Sequence, residues 1–222
     1  MILNDSDRLP RQKEMWQDRC DRNLNLARHF WEKYLPENDT HFLEITFIYF
    51  HNYLISKYIY CCLDDDHLDI AKGYEKHLGG IFLSKISFPS KDGKPFINPY
   101  YSRIKRVFDN VEFEKQVDSI VRAYTSPEES LNDRIYNKLQ EFIAGRKDFE
   151  LNWNNRDGDY RHFSWLHARC RNHLLHGMKQ ARDDRNLEIV KSFCIVMDLY
   201  ISEMEGEPPI YMNYMKTEKL IG

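Results

Sequence analysis

The chain has 222 residues, enough for one sizeable hydrophobic core and short for two. Hydrophobic residues make up 42% and charged ones 30%, the balance of an ordinary globular domain and not of a disordered or collagenous chain. With 32 Lys and Arg against 35 Asp and Glu the net charge is -3, which excludes a uniformly basic nucleic-acid coat and confines any such surface to a local patch.

The five cysteines are odd in number and contain no Cys-x-x-Cys pair. That argues against a disulfide framework or a zinc ribbon and fits a reducing compartment, with the thiols as small core residues. The first 35 residues are heavily charged, so no signal peptide is read, and the expected location is cytoplasmic.

In chain order, Met15–Tyr34 carries Trp16, Leu24, Ala27, Phe30, Trp31 and Tyr34 among charges, a surface helix before Pro36. Asp39 or Thr40 caps a second helix over about 41–62. The apolar run Phe42–Leu63 includes Glu44, His51, Asn52 and Lys57, which marks a buried helix and not a membrane span. A short helix is expected from about 66 to 77, ended by Gly79-Gly80. Pro89, Gly93, Pro95 and Pro99 make 84–99 a long loop with little regular structure. Helix resumes over about 100–124. Ser126-Pro127-Glu128-Glu129 starts another, running to about 144. A second long loop covers 146–160. Helices over about 161–180 and 185–204 follow, and the tail from 205 packs back on the body or on a partner. No strand, repeat or internal boundary is read. The expected fold is all-α: one domain, 1–222, built as an antiparallel helical bundle.

Residues 161–182 read RHFSWLHARCRNHLLHGMKQAR and hold five Arg or Lys and four His with no acid. In an acidic chain this is a local positive field that attracts phosphate; the bland alternative is a basic face paired with acids from neighbouring helices. On a helical projection Phe163, Leu166, Cys170, Leu174 and Ala181 form a core stripe. Ala168, Asn172, Leu175 and Lys179 form a second one, flanked by Arg171 and His176. That second stripe reads as a helix–helix contact with a polar pocket at its rim, or as a face covered by another helix of the bundle.

The string Arg171-Asn172-His173-Leu174-Leu175-His176, followed by Gly177, resembles the signature of the HEPN superfamily of nucleases: an Arg, often with a polar residue next, three more residues, then His. It also sits near the end of a late helix with one more after it, as in that family. The resemblance covers the motif helix closely and the rest of the chain only as an all-helical length match.

The resemblance implies a HEPN-like four-helix core with extra helices, and a homodimer that joins two 161–180 helices into one composite site. It implies a metal-independent endoribonuclease, a toxin or anti-phage abortive-infection effector. RNA supplies its own 2′-hydroxyl nucleophile, His176 transfers protons and Arg171 clamps the phosphate, leaving 2′,3′-cyclic phosphate ends. Asn172, four residues before His176, orients that ring or a phosphate oxygen.

Arg169, His173, Lys179 and Arg182 are expected to contact RNA, and Arg169 competes with Arg171 as the clamp. His162 and His167 are structural or RNA-facing. No cofactor or metal is expected: His173 and His176 are spaced as ligands, but no carboxylate joins them. Asp64-Asp65-Asp66 reads as a cap for the next helix. One family branch is controlled by an antitoxin that modifies a Tyr two residues after the motif His; here Met178 stands there, so that control is in doubt, although an antitoxin or regulatory partner is still expected. The alternative is a non-catalytic HEPN module that binds RNA or nucleotide, or scaffolds a partner.

Overall fold

The computed structural model describes residues 5–64, 86–89, 95–104, 106–124, 167, 170, 171 and 184–218. They form an all-α fold, with helices α1 (Asp5–Glu37), α2 (Thr40–Asp64), α3 (Tyr101–Ile104), α4 (Val111–Tyr124), α5 (Asp184–Glu205) and α6 (Ile210–Thr217). The helices expected over 66–77 and 126–144, and the 146–160 loop, lie outside the described residues.

Helix α1 buries Cys20, Leu24, Ala27, Trp31 and Tyr34, a stripe with steps of four and three. Pro36 does not stop it. Proline lacks a donor but its φ is helical, so it removes one bond without turning the chain. The turn is made by Asn38, at φ 54, whose N–H donates to the Tyr34 carbonyl at 2.6 Å. Asp39 then caps α2: its Oδ1 accepts the His41 N–H at 2.8 Å and its carbonyl accepts from Phe42 at 3.1 Å.

So short a link makes α1 and α2 antiparallel neighbours. Phe30 stacks on Phe42 and on Tyr49, and further along Asn23 bonds Ser56 at 3.3 Å. Helix α2 is buried on nearly every side, through Leu43, Phe47, Phe50, Tyr53, Leu54 and Tyr58. Helix α5 is equally enclosed, with Ile189, Phe193, Met197, Tyr200 and Met204 all buried. These two are the inner helices and run parallel: Phe47 meets Phe193 near their starts, and Tyr53 and Lys57 both meet Glu205 near the end of α5, with Lys57 Nζ 3.0 Å from that carboxylate. Helix α4 lies antiparallel to α5, with Ser119 bonded to Glu188 and Arg106 paired with Glu203.

Two stretches depart from the sequence expectation. Within 84–99, strands β1 (Ile86–Pro89) and β2 (Pro95–Ile97) pair antiparallel. The prolines that argued against regular structure face each other at one end of the hairpin, where a missing ladder donor costs least. The helix expected over 100–124 is broken into α3, a 3-10 turn at Val107–Asp109, and α4. Asn110 makes the break. It is extended, at ψ 121, and its Oδ1 accepts the Glu112 N–H at 2.9 Å, capping α4 with Glu112 and Glu114 in the first turn. Replacing it should cost what a cap is worth: Asn110→Ala is expected to destabilise the protein by about 1 kcal/mol in urea unfolding, and Asn110→Asp by much less.

The tail packs back on the body. Tyr211 of α6 is buried and stacks on Trp31 at 6.4 Å. All five cysteines are buried, as core residues. Among the described residues no helix is long and apolar enough to cross a membrane.

Candidate functional site

Three residues of the motif helix are described: His167, Cys170 and Arg171, each in helical conformation. Asn172 and His176, together with Arg169, His173, Lys179 and Arg182, lie outside the described residues. The dimer stripe of Ala168 and Leu175 does as well.

Cys170 is fully buried, as its place on the core stripe requires. His167 is buried too, at 2% exposure, so of its two readings the structural one holds. The helix phase contained that signal, because His167 stands three residues before Cys170 and therefore on the same side. Arg171, four residues after His167, sits beside it at the rim of the core. It is half-buried, and burial lowers its pKa from the ordinary value. An arginine stays charged even so.

The residue that sequence reading passed over is His51, on α2. Its ring centroid is 5.1 Å from that of His167, with the planes tilted by 49°. Phe47 lies almost parallel to His51 at 6.5 Å and is 5.2 Å from His167. Phe193 of α5 closes the other side, 5.4 Å from His167. His51 is 1% exposed. None of the four ring nitrogens has a hydrogen-bond partner among the described residues.

A buried polar group left in that condition costs about 1–3 kcal/mol. Burial holds both rings in the neutral form. It pushes the His167 pKa down to about 3, helped by the positive field of Arg171. It lowers His51 well below its ordinary value, helped by His167 and Arg171. Both rings are neutral at pH 7 and closed off from solvent. Among the described residues no three His, Cys, Asp or Glu side chains gather as a metal site. Comparison with known protein families, curated proteins and solved structures finds no match.

Proposed function

We propose that this chain is a HEPN-type metal-independent endoribonuclease that cuts RNA through attack of the 2′-hydroxyl. The observation that carries the reading is the Arg171-Asn172-x3-His176 string in a stretch, 161–182, rich in bases and free of acids. The position of Arg171 at the rim of the core, half-buried and charged, is in keeping with it. In this reading Arg171 holds the scissile phosphate and stabilises charge on its oxygens. His176 moves the protons, since an imidazole can take up or release one near neutral pH. Asn172 orients the His176 ring or a phosphate oxygen, and Arg169, His173, Lys179 and Arg182 draw in the backbone. A role as toxin or anti-phage effector in the cytoplasm belongs to the same reading, with a regulatory partner to restrain it.

The test is incubation of the purified protein with total RNA in EDTA, followed by mapping of the cut ends. Cyclic phosphate and 5′-hydroxyl ends are expected, and DNA should stay intact. Loss of cutting in EDTA, or 3′-hydroxyl products, would sink the mechanism.

On a helical projection of the sequence Arg171 and His176 fall about 140° apart, too far to converge on one phosphate. A two-fold axis beside the Ala168–Leu175 stripe would bring Arg171 of one chain to His176 of the other. Mixing Arg171→Ala chains with His176→Ala chains should therefore restore part of the activity that each lacks. Leu175→Glu should abolish assembly and cleavage together. A fully active monomer would exclude the composite site.

A further inference from the structure

We propose that one edge of α1, carrying Arg19, Arg22 and Lys33, forms with the aromatic ladder at the α1–α2 seam a docking surface for unpaired RNA. The choice of RNA over other polyanions rests on the nuclease reading above; the surface itself does not. The ladder comes from the packing of the two helices. Phe30 of α1 stands between Phe42 and Tyr49 of α2, with ring centroids 6.0 Å away on both sides and planes inclined by 29° and 5°. All three rings are half-buried, so they join the helices and still present ring surface to water. Such a surface accepts a stacked base of any kind, because every base has a π-face.

The charges beside the ladder are sorted. At about 100° per residue, Arg19, Arg22 and Lys33 fall within about 60° of one another, on the side of α1 that carries Phe30. Glu14, Asp18, Asp21 and Glu32 fall in a separate sector of about 60° on the outer side. The three cations are exposed, and among the described residues none of them makes an ion pair. Arg28, Lys57, Arg106 and Lys115, by contrast, each meet a carboxylate. Two of the three ride on rings: the Arg19 guanidinium lies 4.4 Å from the Trp16 centroid, and Lys33 Nζ 5.6 Å from that of Phe42. From Arg19 to Lys33 the helix rises about 21 Å, room for a strand of about four nucleotides.

A row of cations with no acid among them attracts a phosphate backbone, and in a chain of net charge -3 it does so locally. A duplex would satisfy the cations but keep its bases from the ladder. An unpaired strand offers phosphates to one and bases to the other. Phe42 and Tyr49 lie roughly opposite Phe47 and His51 on α2, and those two meet His167. The surface is therefore apart from the motif helix. It tethers the strand and does not touch the bond to be cut.

The experiment measures fluorescence anisotropy of a labelled single-stranded RNA with 2′-O-methyl riboses, which lack the nucleophilic hydroxyl, so that binding is read without cutting. Arg19→Gln, Arg22→Gln and Lys33→Gln combined should weaken binding about tenfold or more at about 0.15 M salt. The slope of log affinity against log salt should fall by about 2, three contacts at about 0.7 each. Phe30→Leu with Tyr49→Leu, which keeps the seam apolar, should weaken binding about tenfold with the salt slope unchanged. The same RNA annealed to its complement should not distinguish the ring variant from wild type. Wild-type affinity and slope in the charge variant would overturn the surface. So would wild-type affinity in the ring variant, or tighter binding to vesicles of anionic lipid than to RNA. If the ring variant fails to fold, the charge variant, altered only at exposed positions, decides. If wild type binds RNA through this face and cuts none, the nuclease reading falls and the surface stands. If wild type cuts RNA and the charge variant binds as wild type does, the surface falls and the nuclease reading stands.

Discussion

His176→Ala is expected to slow RNA cleavage by about 10²- to 10⁴-fold, the range associated with loss of a positioned acid–base group. Arg171→Ala should cost about 10²- to 10³-fold, as removal of a charge-stabilising donor does elsewhere. Arg171→Lys keeps the charge but not the planar fork, so it should recover only a small part of the rate. Single-turnover rates on a defined RNA measure all three. His176→Ala should change unfolding stability by less than about 0.5 kcal/mol if the helical projection of the sequence, which sets His176 off the core stripe, is right. Wild-type cutting by His176→Ala would misassign the site. A larger loss in Arg169→Ala than in Arg171→Ala would transfer the clamp to Arg169.

The second large effect is on stability, at Asp198. This carboxylate is 2% exposed in the middle of α5. It accepts the Trp31 indole N–H at 3.2 Å, the Ser202 hydroxyl at 3.4 Å, and the backbone N–H groups of Ile210 and Tyr211 at 3.3 and 2.8 Å. The last two are donors of the first turn of α6, which has no side-chain cap of its own at Pro209. One carboxylate thus joins α1, α5 and α6. Burial raises its pKa, against the pull of those bonds and of Arg28. Asp198→Ala would strand the indole and both backbone donors at once. A loss of about 3–5 kcal/mol is expected in urea unfolding, or roughly 10 °C in Tm. Limited proteolysis should cut between 205 and 218 first, because α6 loses its anchor. Asp198→Ala with wild-type resistance there would mean that the Trp31–Tyr211 stack suffices to hold α6.

The inner helices were legible because their apolar runs are long, and the α1–α2 link because Asp39 is a strong capping residue. The Asn110 break was missed although Asn followed by Glu112 and Glu114 is a helix start. Continuous apolar periodicity from Ile104 to Val121 hid it. The hairpin is hidden in the sequence because a cluster of prolines signals a loop, whereas Pro89 and Pro95 stand at the strand ends, where they cost little. At the site, Cys170 followed from helix phase, and the same phase places His167 on the core side. His51 carried no local signal. It reads as one polar residue in an apolar helix, and its pairing with His167 is a tertiary contact that no spacing encodes.

The Trp31–Asp198 bond joins residues 167 positions apart, whereas α1 and α2 are connected by Asn38 and Asp39 alone. This unevenness has a kinetic meaning. The α1–α2 pair closes a minimal loop and can form early on its own contacts. Its inner face then waits for α5, whose arrival requires nearly the whole intervening chain to be brought back at once, the slow non-local step in topologies of high contact order. During that wait the apolar sides of Phe47, Phe50 and Leu54 are open to water and to other chains. The interval between first pairing and final closure is therefore the stage at which aggregation is expected.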